Sequence, residues 1–305
     1  MSSSAQQAAP GSVEPPVAER ERSGRPAQIH VPRGGPRGEL RAIRVVWWRE
    51  LIRFSRDRLR IITSLVQPFL FLFILGTGLS TLSAHGHFHV SLRTLFYPGV
   101  LCMAVMFTAM FSAASIVWDR EFGFLREMMV APVKRSSLVL GKCLGGATVA
   151  AFQGLIVIAI AGLVGVPYEP LMLLEIFGLQ LLVAFSITAF GVMAAARITQ
   201  MQSFMAVTQM AIMPMFFISG ALFPVSGLPS WLTVLNRIDP LTYAVDPMRR
   251  LIFAHLKLGA AERLAFAGGV TWWGYRVPTL LEAGVVALLG LGMLAVAIAE
   301  FSRVD

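Results

Sequence analysis

Residues 61–82, IITSLVQPFLFLFILGTGLSTL, run for 22 positions without a charged side chain. A helix rises about 1.5 Å per residue, so roughly 20 apolar residues cross the hydrocarbon core of a bilayer. Five further predominantly apolar segments lie near 94–118, 143–165, 171–196, 204–223 and 279–300. Charged residues make up 14% of the chain, against about 25% in an ordinary soluble domain. This pattern predicts an all-α integral membrane protein with six transmembrane helices. Pro68 is placed to bend the first span, and Trp118 to anchor the end of the second at the membrane interface.

The formal net charge is +9, and the position of that charge decides what it means. With the amino terminus in the cytoplasm, the inner pieces are 1–60, 119–142, 197–203 and 301–305. They hold 19 of the 26 Lys and Arg residues. Of the outer connections, 83–93 holds only Arg93 and 166–170 holds none. The six basic residues of the long 224–278 segment weigh little in this rule. A multi-pass protein of the cell membrane is expected, with both termini cytoplasmic. The basic groups flank spans, so membrane lipid rather than nucleic acid is their expected partner.

Three regions follow. Residues 1–39 are rich in Ser, Ala, Pro, Gly and Arg and are expected to be a disordered cytoplasmic tail without the apolar core of a secretory signal. Residues 40–60 form an amphipathic helix, with Leu40, Ile43, Trp47, Leu51 and Phe54 on one face. Arg49, Arg53, Arg56 and Arg60 fall on the other. Such a helix lies in the membrane interface, and Trp47 with the four arginines is the expected lipid-facing set. Residues 61–305 make the transmembrane domain. Within it, Gly141 and Gly145 have the spacing that lets helices approach closely.

Little in the chain suggests an enzyme. Cys102 and Cys143 form no metal-binding or disulfide pattern. His85, His87 and His89 would point the same way on an extended loop, but have no carboxylate or thiolate partner nearby and read as surface polar residues. Among the few polar residues in the spans, Glu175, Gln180, Gln209 and Glu282 are candidates for a substrate pathway. A phosphate-binding loop needs Gly-x-x-x-x-Gly-Lys-Ser/Thr. Around Gly141-Lys142 the first position is Ser136 and the last Cys143, so the match fails at both ends.

Two connections carry the remaining pattern. From Asp119 to Val130 the spacing fits a helix, with Phe122, Leu125 and Met129 on one side and Asp119, Glu121, Arg126 and Glu127 keeping the rest polar. Pro132 ends it. Gly123 is costly in a helix, by about 1 kcal/mol against Ala, and would allow a partner backbone to come close. These residues suit a helix tucked on the bundle as well as one that docks a partner. In 224–278, prolines divide the chain into short pieces. Trp231, Val234, Leu235 and Ile238 fit one amphipathic helix, and Leu241–Leu251 fit another. Trp272, Trp273 and Tyr275 form an aromatic anchor before the last span.

The stretch WDREFGFLREMMVAPVKRSSLVLGK, residues 118–142, resembles the signature of ABC-2 type transporter permeases. Ile218-Ser-Gly-Ala-Leu-Phe-Pro224, Leu228-Pro-Ser-Trp231, Asp239-Pro-Leu-Thr-Tyr243 and Arg249 carry a second resemblance, with Asp239 where the family usually has Asn. The chain is most similar to permeases of the daunorubicin-resistance and lipo-oligosaccharide export type. The resemblance implies a six-helix exporter half with short re-entrant helices before the last span. A second half, identical or paralogous, and a separate ATPase carrying ATP and Mg²⁺ would complete it. This chain would bind no cofactor. Glu121, Phe122, Gly123, Arg126, Glu127 and Pro132 are then the expected ATPase-coupling residues. The implied cargo is an amphipathic drug-like or lipid-linked molecule moved outward. The rival readings are a membrane sensor or assembly protein using the same loop, and a polytopic membrane enzyme.

Overall fold

The computed structural model describes residues 35–78, 91–124, 133–225, 227–256, 259, 269–272 and 274–303. The tail up to residue 34, the three loop histidines, Trp273 and the stretch 125–132 lie outside the described residues, and with them Arg126, Glu127 and Pro132. Among the described residues there are nine helices and one two-stranded hairpin. Six of the helices are long and apolar enough to cross a membrane.

Helix α1 spans Pro36–Arg56, with Pro in its first turn, where no N–H is needed. Asp57 ends it and starts α2 (Arg58–Gly78) by accepting the Arg60 N–H at 3.0 Å. Two residues past Pro68, α2 widens from α- to π-helical geometry over Leu70–Leu75. The proline has no N–H for the ladder, so the local adjustment is a register change.

The third helix, α3 (Leu92–Glu121), is the hub. It is almost wholly buried, with α4 (Arg135–Ala159) and α5 (Pro170–Arg197) packed along it. Small residues set the spacing. A Cβ on Gly146 would come within 2.5 Å of Thr188, and one on Gly191 within 2.6 Å of Ala113. Helix α6 (Met201–Ile218) runs on the flank, as does α2. The short helices α7 (Ser230–Ile238) and α8 (Thr242–Ala254) precede the hairpin of β1 (Thr271–Trp272) and β2 (Tyr275–Arg276). Helix α9 (Thr279–Arg303) closes the bundle against α5, where Ser186 Oγ donates to the Val286 carbonyl at 2.9 Å.

The two short helices behave differently. On α7 the four apolar residues Trp231, Val234, Leu235 and Ile238 are exposed, while Asn236 is buried and donates to the Ile218 carbonyl at 2.8 Å. Helix α8 is buried along most of its length. Burial pushes the Asp239 carboxyl up to about 7. It still caps the start of α8, accepting from the Leu241 N–H at 3.2 Å and the Thr242 hydroxyl at 3.3 Å.

The end of the bundle that carries α1, the end of α3 and the start of α4 is called proximal below. The end carrying α7, α8 and the hairpin is called distal.

Candidate functional site

At the proximal end α1 lies across α4 on the two glycines of the close-approach motif. A Cβ on Gly141 would come 2.7 Å from the Val46 Cβ, and one on Gly145 2.7 Å from the Glu50 Cβ. The buried stripe of α1 is therefore Val46, Glu50 and Phe54, and Leu40 stands 70% exposed. This differs from the apolar face expected from the helical wheel. A glutamate turns inward because a cation waits for it.

That cation is Lys142. Its ammonium donates to Glu50 at 2.6 Å, to Asp119 at 2.6 Å and to the Ser115 hydroxyl at 2.9 Å. Arg49 reaches the same Asp119 at 2.6 Å, and Arg53 reaches it at 3.4 Å while lying 5.8 Å from the Trp118 ring centroid. The junction thus sets three cations against two carboxylates, drawn from α1, α3 and α4. Glu50, Asp119 and Lys142 are all buried. In a buried site removing one partner strands a charge, which typically costs about 3–5 kcal/mol.

The two residues after Asp119 extend the junction to the other helices. Arg120 donates to the Ala196 carbonyl at 3.0 Å and the Ile198 carbonyl at 3.1 Å, closing the end of α5. Glu121 accepts the Met201 N–H at 2.7 Å and so caps the start of α6. Free carbonyls end a helix and free amides begin one, so a cation belongs on the first and an anion on the second. Asp119-Arg120-Glu121 meets both needs in sequence order and connects α3 to α1, α4, α5 and α6.

Neighbouring contacts complete the ring. Glu39 accepts from the Ser137 hydroxyl at 2.6 Å and the Lys134 N–H at 3.1 Å. The Ser137 bond leads in holding its carboxyl below the usual range. Arg135 donates to the Phe301 carbonyl at 3.0 Å, and Arg197 pairs with Glu300 at 2.7 Å, tying α9 to α4 and α5.

Beyond Glu121 the chain turns. Phe122 is 72% exposed and Phe124 53%. Gly123 has φ +79°, and its N–H bonds the Arg120 carbonyl at 3.1 Å. The helix expected from Asp119 onward is therefore interrupted here. Its first residues are the end of α3, and Gly123 is the left-handed residue that stops it. Nothing lies within 4 Å of a Cβ placed on Gly123, so glycine is required here by its backbone conformation.

The residues expected from the sequence now fall into groups. Glu121 is exposed but bonded to the start of α6, whereas Phe122 is exposed beside it. Arg49 and Arg53 bond protein carboxylates, the Trp47 indole N–H donates to Thr148 Oγ1 at 3.0 Å, and Arg56 is exposed. Arg60 lies at the start of α2, partly covered. The four pathway candidates do not share a site. Glu175 and Gln209 are exposed on α5 and α6, and Gln180 is buried against Gly154. Glu282 is buried and ion-paired with Arg250. Sequence reasoning missed Glu50 and Lys142 and read Asp119 as surface polarity. Two signals were present: Glu50 interrupts an apolar stripe on α1, and Lys142 directly precedes an uncharged span.

The signature of the ABC-2 type transporter family matches residues 41–253, which take in the junction, α2 to α6 and most of α8. The chain belongs to the ABC-2 type transporter family. It is similar to the putative transport permease ycf38 of Cyanophora paradoxa, with 28% identity over 68% of this chain and 72% of that one. Nodulation protein J of Rhizobium leguminosarum bv. trifolii is 27% identical over 72% of this chain and 84% of its own. The probable doxorubicin resistance ABC transporter permease protein DrrC of Mycobacterium tuberculosis is 25% identical over 66% and 73%. The chain is thus the membrane permease subunit of a transporter, and the proximal junction lies in the part this family shares.

Proposed function

We propose that this permease is one half of an exporter, driven by a separate ATPase that docks at the proximal end over Phe122, Phe124 and the connection that follows. The observation that carries this reading is the continuity of the Asp119-Arg120-Glu121 tripeptide with that exposed turn. A displacement applied just beyond Gly123 reaches α3 first. Through three successive side chains it then reaches α1, α4, α5 and α6. Exposed aromatic side chains suit a partner pocket, and Glu121 acts behind them as a brace within the permease.

The excess of basic residues at this end supports a cytoplasmic position for it, where ATP is available. ATP and Mg²⁺ belong on the partner, and this chain supplies no phosphate-binding loop. The apolar outer faces of α2, α6 and α9 leave room for a second half. One relative is named for doxorubicin resistance, and an amphipathic cargo moved outward fits the same reading for this chain.

The test is site-directed crosslinking in native membranes, followed by ATP-driven efflux into inverted vesicles. Cysteine at Phe124 should crosslink to an ATP-binding-cassette ATPase, and cysteine at the buried Val149 should not. Phe124→Ala should lower efflux about ten-fold with the fold intact. Full efflux from Phe122→Ala/Phe124→Ala, with no crosslink at either position, would refute the docking site.

A further inference from the structure

Between α2 and α3, near their proximal ends, lies a cavity of about 520 Å³, with Phe54 of α1 and Met205 of α6 also on its lining. This is within the range of roughly 300–1,000 Å³ usual for small-molecule sites. The cavity has two unlike walls. On α2, Arg60, Thr63 and Gln67 sit at i, i+3 and i+7, so they line one face. On α3, Phe107, Phe111 and Trp118 supply an aromatic wall.

Two polar atoms at this cavity are buried with no hydrogen-bond partner: Arg60 Nη2 and, across from it, Thr108 Oγ1. A guanidinium presents its donors in a planar fork that matches the oxygens of a phosphate or carboxylate. Arg49 and Arg53, on the preceding helix α1, are both paired with Asp119. Arg60 faces the cavity instead.

We propose that this cavity binds a compact amphiphile with a single anionic head, with Arg60 holding the head and Phe107, Phe111 and Trp118 packing its apolar body. The volume suits a drug-sized or single-chain molecule and is too small to enclose a whole two-chain phospholipid. Asp57 and the Thr63 and Ser64 hydroxyls also line the polar wall. The Thr63 and Ser64 hydroxyls already donate to the Leu59 and Ile61 carbonyls, which leaves the guanidinium as the donor to the head. The inference names a substrate class for the export reading above and rests on it.

Trp118 provides a direct readout. The purified full chain in zwitterionic-lipid nanodiscs is titrated with bromododecyl phosphate, whose bromine quenches indole fluorescence. Bromododecyl trimethylammonium is the control head, and Trp118→Phe isolates the signal. The phosphate probe should quench at a concentration about ten-fold lower than the ammonium probe. Arg60→Gln should bring the two to within about two-fold, at unchanged melting temperature. Thr108→Phe fills the cavity from the opposite wall without adding an indole and should abolish Trp118 quenching by both.

Equal quenching by both heads in the wild type, or a preference that survives Arg60→Gln, overturns the proposal. So does phosphatidylglycerol that stays bound through purification of the wild type and is lost from Arg60→Gln, since the occupant is then a structural lipid. No ATPase is needed for these measurements. Selective binding without ATP-driven transport of the probe would count against the export reading and leave the site standing. Transport that proceeds unchanged in Arg60→Gln would count against the site.

Discussion

The two ends of the bundle both bury charge, but in different ways. At the proximal end Lys142 bonds both Glu50 and Asp119 across three helices, with Arg49 and Arg53 at the rim. At the distal end two arginines of α8 hold backbone as well as side chains. Arg249 donates to the Gly220 carbonyl and Arg250 to the Val277 carbonyl. Arg250 also pairs with Asp246 at 3.0 Å and with Glu282. Asp246 in turn accepts the Val270 N–H at 3.1 Å. A loop carbonyl is a fixed acceptor, so the distal set pins one arrangement of loops, hairpin and α8. Side chains meeting side chains can follow a small shift of a helix end and stay paired. Under the proposed ATPase docking, this difference suits the proximal ion cluster to passing on movement and the distal end to keeping its shape.

The largest effect that tests this contrast is at Lys142. Lys142→Met removes the one buried cation shared by Glu50 and Asp119, leaving only the rim arginines near them, and should cost about 3–5 kcal/mol in unfolding experiments in detergent. Adding Glu50→Gln and Asp119→Asn should recover most of the loss, because the uncompensated charges are then gone. If the triple variant is no better than the single one, the cost came from packing and the ionic account of the proximal end fails.

At the distal end Arg249→Met should cost less, about 1.5–3 kcal/mol, the usual worth of a hydrogen bond from a charged donor. It should also raise proteolysis in the 219–225 turn, since the Gly220 carbonyl loses its donor. A loss larger than that of Lys142→Met would reverse the ranking of the two ends.

Asp239 offers a pH test. Its carboxyl goes from an ordinary value of 3.8 up to about 7 by burial, so the folded state keeps the proton longer than the unfolded one. Stability from this group is therefore lost as pH rises between those values, and is flat above them. Asp239→Asn should match the wild type near pH 4 and exceed it by about 1–2 kcal/mol at pH 7 in thermal unfolding. A parallel pH profile for the two proteins would show that the carboxylate is not the cause.

Smallest is Glu121. Glu121→Ala removes the acceptor at the start of α6 and should cost about 1 kcal/mol, whereas Glu121→Gln should cost a few tenths. If Glu121→Ala were silent in stability yet abolished the ATPase crosslink, the residue would face the partner after all and the brace would move elsewhere.

Much of this architecture was legible in the sequence. The apolar runs set the six spans, because hydrocarbon solvates no backbone polar group and forces each run into a helix long enough to cross. The Asp119–Lys142 stretch was visible as the charged interruption, and the second motif block as the material of α7 and α8. The candidate site was read less well. Helical spacing gave α1 an apolar face through Leu40 and Trp47, but could not see that Gly141 and Gly145 make a groove on α4. Nor could it see that Lys142 lies under Glu50.

Sequence alone therefore determined that this chain enters a membrane, how many times it crosses, and which stretch stays polar. These follow from transfer free energies that each residue carries with it. Only the tertiary structure decided which polar residues are partners. Glu50, Asp119 and Lys142 are separated by 23 to 92 positions along the chain, and a charge shows nothing of its partner until packing brings the two within hydrogen-bond distance. The same is true of Gly123, whose left-handed backbone separates the bonded end of α3 from the two exposed phenylalanines beside it.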